Sequence, residues 1–300
     1  MRVAITGATG FIGRYIVEHL DGLGHSLRCW YRSTSNREGF ETIRSLEWIE
    51  GDLGNLDSTH ALVAGCDAVV HSALYRPGDG FRGAEGDLLE FVQKNVVGTL
   101  ALIEAARSAK VKRFIFISTC AVHEKILDDR PLDETHPLWP ASHYGAHKAA
   151  IEKFIHSYGL GQGYSICALR PTGVYGIARP IQNSKWYDIV SAVARSETVH
   201  CSRGGKEVHA SDVARAVGIL LTAKGIAGEA FNCYDRYISD LDVANIAKEL
   251  CGSTSRIVGE PRQPKNQIVT DKIRSLGMQF GGDPLLRQTV AELIDAERAG

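Results

Sequence analysis

Several shortcuts to a function are missing from this sequence. Seven cysteines stand singly along 300 residues, at 29, 66, 120, 167, 201, 233 and 251, and no two form a C-x-x-C pair. Their odd number and wide spacing leave no disulfide framework. No histidine cluster at zinc-ligand spacing accompanies them, so no metal site is expected and a reduced, cytoplasmic setting fits. There is no apolar run of the roughly 18 residues that a membrane-spanning helix needs, and no cleavable signal pattern. Lys+Arg 34 against Asp+Glu 35 leaves a net charge of -1, which gives no electrostatic case for nucleic acid or an anionic membrane as partner. Internal repeats and low-complexity tracts are also lacking. What remains is a globular chain, 44% hydrophobic and 23% charged, long enough for two ordinary domains or one large α/β domain with an appendage.

Short apolar or β-branched runs at 2–6, 26–31, 46–50, 68–71, 113–118 and 165–170 alternate with helical stretches at 11–23, 57–63, 87–109 and 144–158. That alternation predicts a parallel sheet with helical crossovers, and the near-continuous apolarity of the runs predicts strands covered on both faces. Residues 75–86 form a Gly-rich loop, and 124–142, with three prolines, form a surface excursion. Beyond Gly176 the pattern changes to helices at 185–195, 211–222 and 241–250 with short strands at 207–209 and 230–233. The expected fold is therefore α/β: a Rossmann doubly wound parallel sheet over 1–175, rejoined by 206–223, with 176–300 mostly a small C-terminal substrate-binding cap over the carboxyl ends of the strands.

Gly7, Gly10 and Gly13 stand three apart, after a strand and at the start of a helix. Gly7 permits a tight turn, Gly10 lets the backbone approach a pyrophosphate, and Gly13 lets the helix pack on the sheet. Thr9, Phe11 and Ile12 complete the turn, where a helix N-terminus offers free N–H groups and a positive dipole end. This context predicts dinucleotide binding. At the end of the second strand an acid would accept hydrogen bonds from the adenosine ribose, whereas an arginine accommodates a 2′-phosphate. Here Tyr31 stands where the acid is expected and is followed by Arg32 and Ser33, with Ser35 and Arg37 nearby, so NADP is preferred over NAD. Asp52-Leu53 follows the third strand, where the carboxylate either contacts the adenine or caps the next helix.

Tyr144 and Lys148 are four residues apart and so share one helix face. A phenol with an unperturbed pKa of about 10 is a poor base, but an adjacent ammonium favours its phenolate and makes proton transfer near neutrality reasonable. Thr119 ends the fifth strand and is positioned to bond a reacting oxygen, with Ser118 as a substitute. His143, His147, Cys120, Arg179, Lys185, Arg203 and Lys206 are weaker candidates, more in keeping with packing or ordinary surface charge.

These pieces recur in order: Thr6–Gly13, Gly51-Asp52-Leu53, His71-Ser72-Ala73, Asn95-Val96-Val97-Gly98-Thr99, Ser118-Thr119, Tyr144–Lys148, Arg170-Pro171 with Val174-Tyr175-Gly176, and Val208–Ala214. The chain resembles an extended short-chain dehydrogenase/reductase of the NAD-dependent epimerase/dehydratase superfamily, which includes sugar-nucleotide epimerases, over nearly its whole length. The resemblance implies Thr119 as hydroxyl partner, Tyr144 as general acid/base and Lys148 as its orienter and a ribose contact. It further implies Ser72, Ala73 and Pro171 as cofactor contacts, Asn95 as a structural or water-organising residue near the cofactor, and a homodimer through the helices at 87–109 and 144–158.

Departures narrow the activity. Dehydratases of this superfamily typically carry an acidic pair after the hydroxyl, where this chain has Cys120 and Ala121, so dehydration is not expected. Many nucleotide-sugar epimerases have an asparagine where this chain has Gly173, and the usual Val-Tyr-Gly is Val122-His123-Glu124. The leading expectation is an oxidoreductase moving hydride between nicotinamide and a carbonyl or secondary alcohol of a small-molecule substrate, a sugar or sugar nucleotide. Epimerisation through a transient ketone and non-catalytic dinucleotide sensing are the alternatives.

Overall fold

In the computed structural model, which describes every residue except 44, 79–82, 84 and 300, the chain divides into two compact units. The first comprises Met1–Pro171, Val213–Cys233 and Ile268–Met278; the second comprises Thr172–Asp212, Tyr234–Gln267 and Gln279–Gly300. Packing places the boundary at 171 and the returns at 213–233 and 268–278, where a boundary at 175 and a return over 206–223 are expected from the sequence.

The strands, in chain order, are β1 Arg2–Thr6, β2 Ser26–Tyr31, β3 Leu46–Glu50, β4 Ala68–His71, β5 Arg113–Ile117, β6 Ile166–Pro171, β7 Gly173–Tyr175, β8 Val199–Cys201, β9 Gly204–His209, β10 Glu229–Cys233, β11 Arg236–Ser239 and β12 Ile257–Gly259. Seven of them form the sheet of the first unit, in the order β10-β6-β5-β4-β1-β2-β3, every pairing parallel. The order reverses beside β1, whose neighbours are β4 and β2, and that reversal opens the crevice in which open α/β sheets bind ligands. Val3, Ala4, Ile5, Val69, Val70, Phe114 and Ile115 are all fully buried, as strands covered on both faces require.

The helices are α1 Phe11–Gly22, α2 Leu56–Val63, α3 Leu88–Val92, α4 Gly98–Ser108, α5 His143–His156, α6 Tyr187–Ala194, α7 Ala210–Thr222, α8 Asp240–Cys251, α9 Asp271–Ser275 and α10 Gly282–Ala299. The single helix expected over 87–109 is two helices joined by a π turn at Gln93–Val97. Asp87 caps its start through the N–H of Glu90, and Gly98 lets it approach the loop after β3, since a Cβ there would stand 3.0 Å from the Gly54 nitrogen. Asn55, not Asp52, caps α2 by accepting from the N–H of Ser58. Strand β5 stops at Ile117, one residue earlier than expected, although the Ser118 N–H still bonds the Leu169 carbonyl of β6 at 2.7 Å.

Within the second unit, β11, β9 and β7 form one small sheet and β12 pairs with β8. Its core gathers Tyr175, Trp186, Val190, Ile238, Val243, Leu286, Val290 and Leu293, among others. The helix α10 lies outside the helices expected from the sequence, although Leu286, Val290, Leu293 and Ile294 carry a helical spacing. The strand expected at 230–233 in the cap region is β10 Glu229–Cys233, the edge strand of the large sheet, paired with β6.

Candidate active site

The glycine turn is built by close backbone contact. Gly7 has φ +70, and a Cβ on it would stand 2.7 Å from the Ala73 nitrogen; a Cβ on Gly13 would stand 2.0 Å from the Gly7 carbonyl oxygen. Only glycine fits either place. Gly10 is the N-cap of α1, no side chain caps the helix, and its first turn holds no acid. The N–H groups of Phe11, Ile12 and Gly13, which precede the first intrahelical bond from Arg14 to the Gly10 carbonyl, lie at the positive end of the helix dipole.

A cleft of about 480 Å³ opens there, lined by Gly7, Thr9, Gly10, Phe11, Ile12, Gly13, Tyr31, Arg32, Asp52, Leu53, Ser72 and Ala73, and also by Thr34, Ser35, Asn36 and the loop Leu74-Tyr75-Arg76. The glycines of the turn and the uncapped start of α1 within its lining suit the pyrophosphate of a dinucleotide. Ser33 does not line it, so the residues beside Arg32 are Thr34 and Ser35, the latter accepting from the Arg32 N–H at 2.9 Å. Arg37 does not line the cleft but stacks 4.3 Å from the ring centroid of Tyr31, which does. Asp52 accepts from the Leu53 N–H at 2.8 Å and pairs with Lys94 at 3.3 Å.

Asn95, Thr99, His71 and Thr6 form a directed chain beside this cleft. Thr99 donates to the Asn95 carbonyl at 2.6 Å, so its oxygen accepts from His71 Nε2–H at 2.8 Å. His71 Nδ1 then accepts from the Thr6 hydroxyl at 2.6 Å, and Thr6 Oγ1 in turn accepts from the Ala73 N–H at 3.2 Å. Burial, aided by Lys148, holds His71 neutral with its pKa lowered to about 3. Asn95 does not line the cleft: it is buried and exchanges hydrogen bonds with the backbone of Tyr75, at 2.8 and 2.9 Å, thereby holding one cleft wall.

Tyr144, Lys148 and Thr119 are brought together at the carboxyl end of β5. The N-cap Ser142 starts α5 by accepting from the Gly145 N–H, which fixes Tyr144 in its first turn. Burial raises the Tyr144 pKa, while a hydrogen bond from Thr119 and the charge of Arg76 lower it. Lys148 is buried, donates to the Ile117 carbonyl at 2.7 Å and lies 4.5 Å from the Phe116 ring centroid. Desolvation lowers its pKa to about 7, against an opposing pull from Glu152. His147 packs edge-on to Phe91 and is held neutral, its pKa lowered to about 2 by burial and Lys148, while His143 is exposed. Pro171 is buried at the end of β6 and lies outside the cleft lining.

One group of residues was missed by sequence reasoning. Glu152 and Arg170 form a buried ion pair at 2.6 Å, and Ser118 donates to Glu152 at 2.5 Å. Ser118 is thereby committed to the interior and does not substitute for Thr119. The only advance signal was Glu152's place four residues after Lys148. Cys120 donates to the Arg170 carbonyl at 3.0 Å. Among the described residues no cluster suited to a metal ion occurs, and no helix is long and apolar enough to cross a membrane.

A parallel sheet that reverses order at an uncapped glycine turn, with a tyrosine and lysine one helical turn apart near by, defines a dinucleotide-binding enzyme class of Rossmann type. The chain belongs to the NAD dependent epimerase/dehydratase family, whose model matches residues 3–233, within the extended short-chain dehydrogenases/reductases. It is 32% identical over 181 residues to a 4-hydroxy-2-methyl-3-oxo-4-farnesyl-3,4-dihydroquinoline-1-oxide ketoreductase of Stigmatella aurantiaca, a match covering 59% of this chain and 51% of that protein, about half its length. It is 30% identical over 267 residues to a dTDP-D-glucose 4,6-dehydratase of Mus musculus, covering 83% of this chain and 72% of that protein. Kinship therefore does not exclude dehydration. The fold matches that of the UDP-glucose 4-epimerase of Thermotoga maritima with TM-score 0.80 at 23% identity, over 99% of each chain.

Proposed function

We propose that the chain is an NADP-preferring reductase or dehydrogenase acting on a carbonyl or secondary alcohol, with a sugar or sugar nucleotide as substrate class. The observation that carries this reading is the hydrogen bond between Thr119 and Tyr144 beside a buried Lys148, all at one strand end. A bound nicotinamide would supply or accept the hydride. Tyr144 gives or takes the proton of the substrate oxygen, Thr119 bonds that oxygen, and Lys148 orients the tyrosine on its helix face and contacts the ribose. Gly7, Thr9, Gly10, Phe11, Ile12 and Gly13 hold the pyrophosphate, Asp52 with Leu53 the adenine, and Ser72, Ala73 and Pro171 the nicotinamide half.

NADP preference rests on Arg32, an exposed cleft residue with no ion pair among the described residues, and on Tyr31 in place of an acid. Arg32→Ala should weaken NADPH binding about tenfold or more and leave NADH binding within about twofold, as expected for one charge-assisted bond. Equal losses for both would exclude the role. Cys120 and Ala121 in place of an acidic pair argue for reduction over dehydration, and the ketoreductase relative supports the same choice. Epimerisation is the second reading, supported by the family; it would show no net turnover of dinucleotide.

The decisive experiment is Tyr144→Phe. Dinucleotide affinity should persist while turnover falls by about two to four orders of magnitude; retained turnover would sink the reading. A homodimer is part of the proposal, through the helix pair at 88–108 and α5, where Leu89 is 80% exposed and Val97 and Phe154 are also exposed. A cytoplasmic location and substrate binding by the second unit complete it.

A further inference from the structure

We propose that Glu152 is a positioning residue for the proton-transfer group: its one carboxylate ties the strand end that carries Thr119 to the helix that carries Tyr144 and Lys148, and sets a negative charge one turn from the lysine. This inference rests on the reading of Tyr144 and Lys148 given above.

The geometry is a set of adjacent clasps. Three consecutive residues at the end of β5 bond three residues spaced one helical turn apart on α5: the Ile117 carbonyl accepts from Lys148 at 2.7 Å, Ser118 donates to Glu152 at 2.5 Å, and Thr119 bonds Tyr144. Positions 144, 148 and 152 lie on one helix face because each follows the last by four. Without the middle clasp, the strand end would be tied to α5 by side-chain bonds to Tyr144 and Lys148, the two groups that serve the proton transfer themselves. Arg170, at the end of β6, adds a third element by bonding both carboxylate oxygens, with Nε at 3.0 and 3.1 Å and Nη2 at 2.6 Å.

His123 closes the set without adding charge. Its Nδ1 lies 3.2 Å from the Pro137 carbonyl, which can only accept, so Nδ1 carries the proton and Nε2 accepts from Arg170 at 3.2 Å. Burial and Arg170 keep that imidazole neutral, its pKa lowered to about 4. Arg170 therefore takes its countercharge from Glu152.

The charged and titratable groups that face Lys148 are few. His71 on β4 and His147 on α5 are neutral at working pH; Tyr144 is the group being served, and Arg170 on β6 is matched by Glu152. Glu152 is the anion that opposes the desolvation of Lys148. A buried ion pair is not by itself a stabilising choice, because apolar packing of equal volume commonly serves as well. Its placement against the two neighbours of the reacting groups supplies the reason for having it.

The test uses the full chain with lysines labelled for NMR, the Lys148 signal being assigned with Lys148→Arg. Glu152→Gln alone would strand Arg170, so the variant is Glu152→Gln/Arg170→Met. The midpoint of Lys148 titration should fall by about one pH unit or more, a tenfold change in its ionisation. An unmoved midpoint in the folded double variant overturns the electrostatic half of the proposal. For the tether, Ser118→Ala should lower kcat about tenfold with dinucleotide affinity unchanged, and Ser118→Thr should restore it. Wild-type kcat in Ser118→Ala, or no rescue by threonine, overturns that half. The lysine titration needs no substrate, so its failure is separable from a failure to find turnover.

Discussion

Gly13 meets the carbonyl of Gly7 so closely that a methyl group between them would stand 2.0 Å from the oxygen. The contact is backbone against backbone, and no flexible side chain can yield. It joins the first turn of α1 to the end of β1 and so sets the direction in which the uncapped N–H groups of the helix point.

Gly13→Ala should therefore destabilise the protein by about 1–3 kcal/mol, the usual cost of overpacking, and weaken dinucleotide binding as the turn opens. Urea unfolding and fluorescence titration with NADPH measure the two effects. A stable variant of unchanged affinity would show that the turn tolerates displacement.

Asp52 and Asn55, three residues apart, should separate function from stability. Asn55 caps α2, so Asn55→Ala should cost about 1 kcal/mol of stability and little dinucleotide affinity. Asp52 makes a partly exposed ion pair with Lys94, at 44% and 30% exposure, so Asp52→Ala should change stability by under about 1 kcal/mol. Its loss should appear in affinity. Equal effects of the two variants on binding would contradict the division.

Acidification should weaken the fold from about pH 6.5 downward. His71, His123 and His147 are held neutral in the folded protein, with pKa values lowered to about 3, 4 and 2. Unfolded, each takes up a proton near pH 6.5, so the unfolded state binds more protons below that point and stability rises with pH through the window. The slope is at most about 1.4 kcal/mol per pH unit per histidine. Urea unfolding at pH 5.5 and 7 reads it, and replacing His147 by Phe should reduce it. A flat profile would mean that these imidazoles protonate in the folded state.

Lys148 should be held at the expense of stability. Burial lowers its pKa from 10.5 to about 7, so between these values the unfolded chain binds more protons and stability rises with pH. Lys148→Met removes the desolvation cost but leaves the Ile117 carbonyl without its donor. The balance should favour the variant by about 1–2 kcal/mol at pH 7, with turnover lost. A variant less stable than the parent would show that the hydrogen bond to Ile117 outweighs the buried charge.

Much of the site was legible because its signals are local. Gly7, Gly10 and Gly13 act within one turn, and the spacing of Tyr144 and Lys148 needs nothing beyond helix geometry. The ambiguities were those in which two nearby residues of similar chemistry competed. Ser118 and Thr119 are both hydroxyls at a strand end, and only the Glu152 carboxylate separates them. Asp52 and Asn55 both suit a helix cap, and the actual start of α2 at Leu56 selects Asn55. Ser33 and Ser35 both follow Arg32, and the path of the loop brings Ser35, not Ser33, to the cleft.

By itself the sequence determined the parallel α/β pattern, the glycine turn and the helix face bearing Tyr144 and Lys148, because hydrophobic period, backbone sterics and helical pitch act over a few residues. Tertiary structure alone decided the pairing of Glu152 with Arg170 and Ser118, the directed chain through His71, and the assignment of Glu229–Cys233 to the edge of the large sheet. Those depend on which distant segments share a low-dielectric interior, where a buried donor or charge must find its partner across 18 to 34 residues of chain.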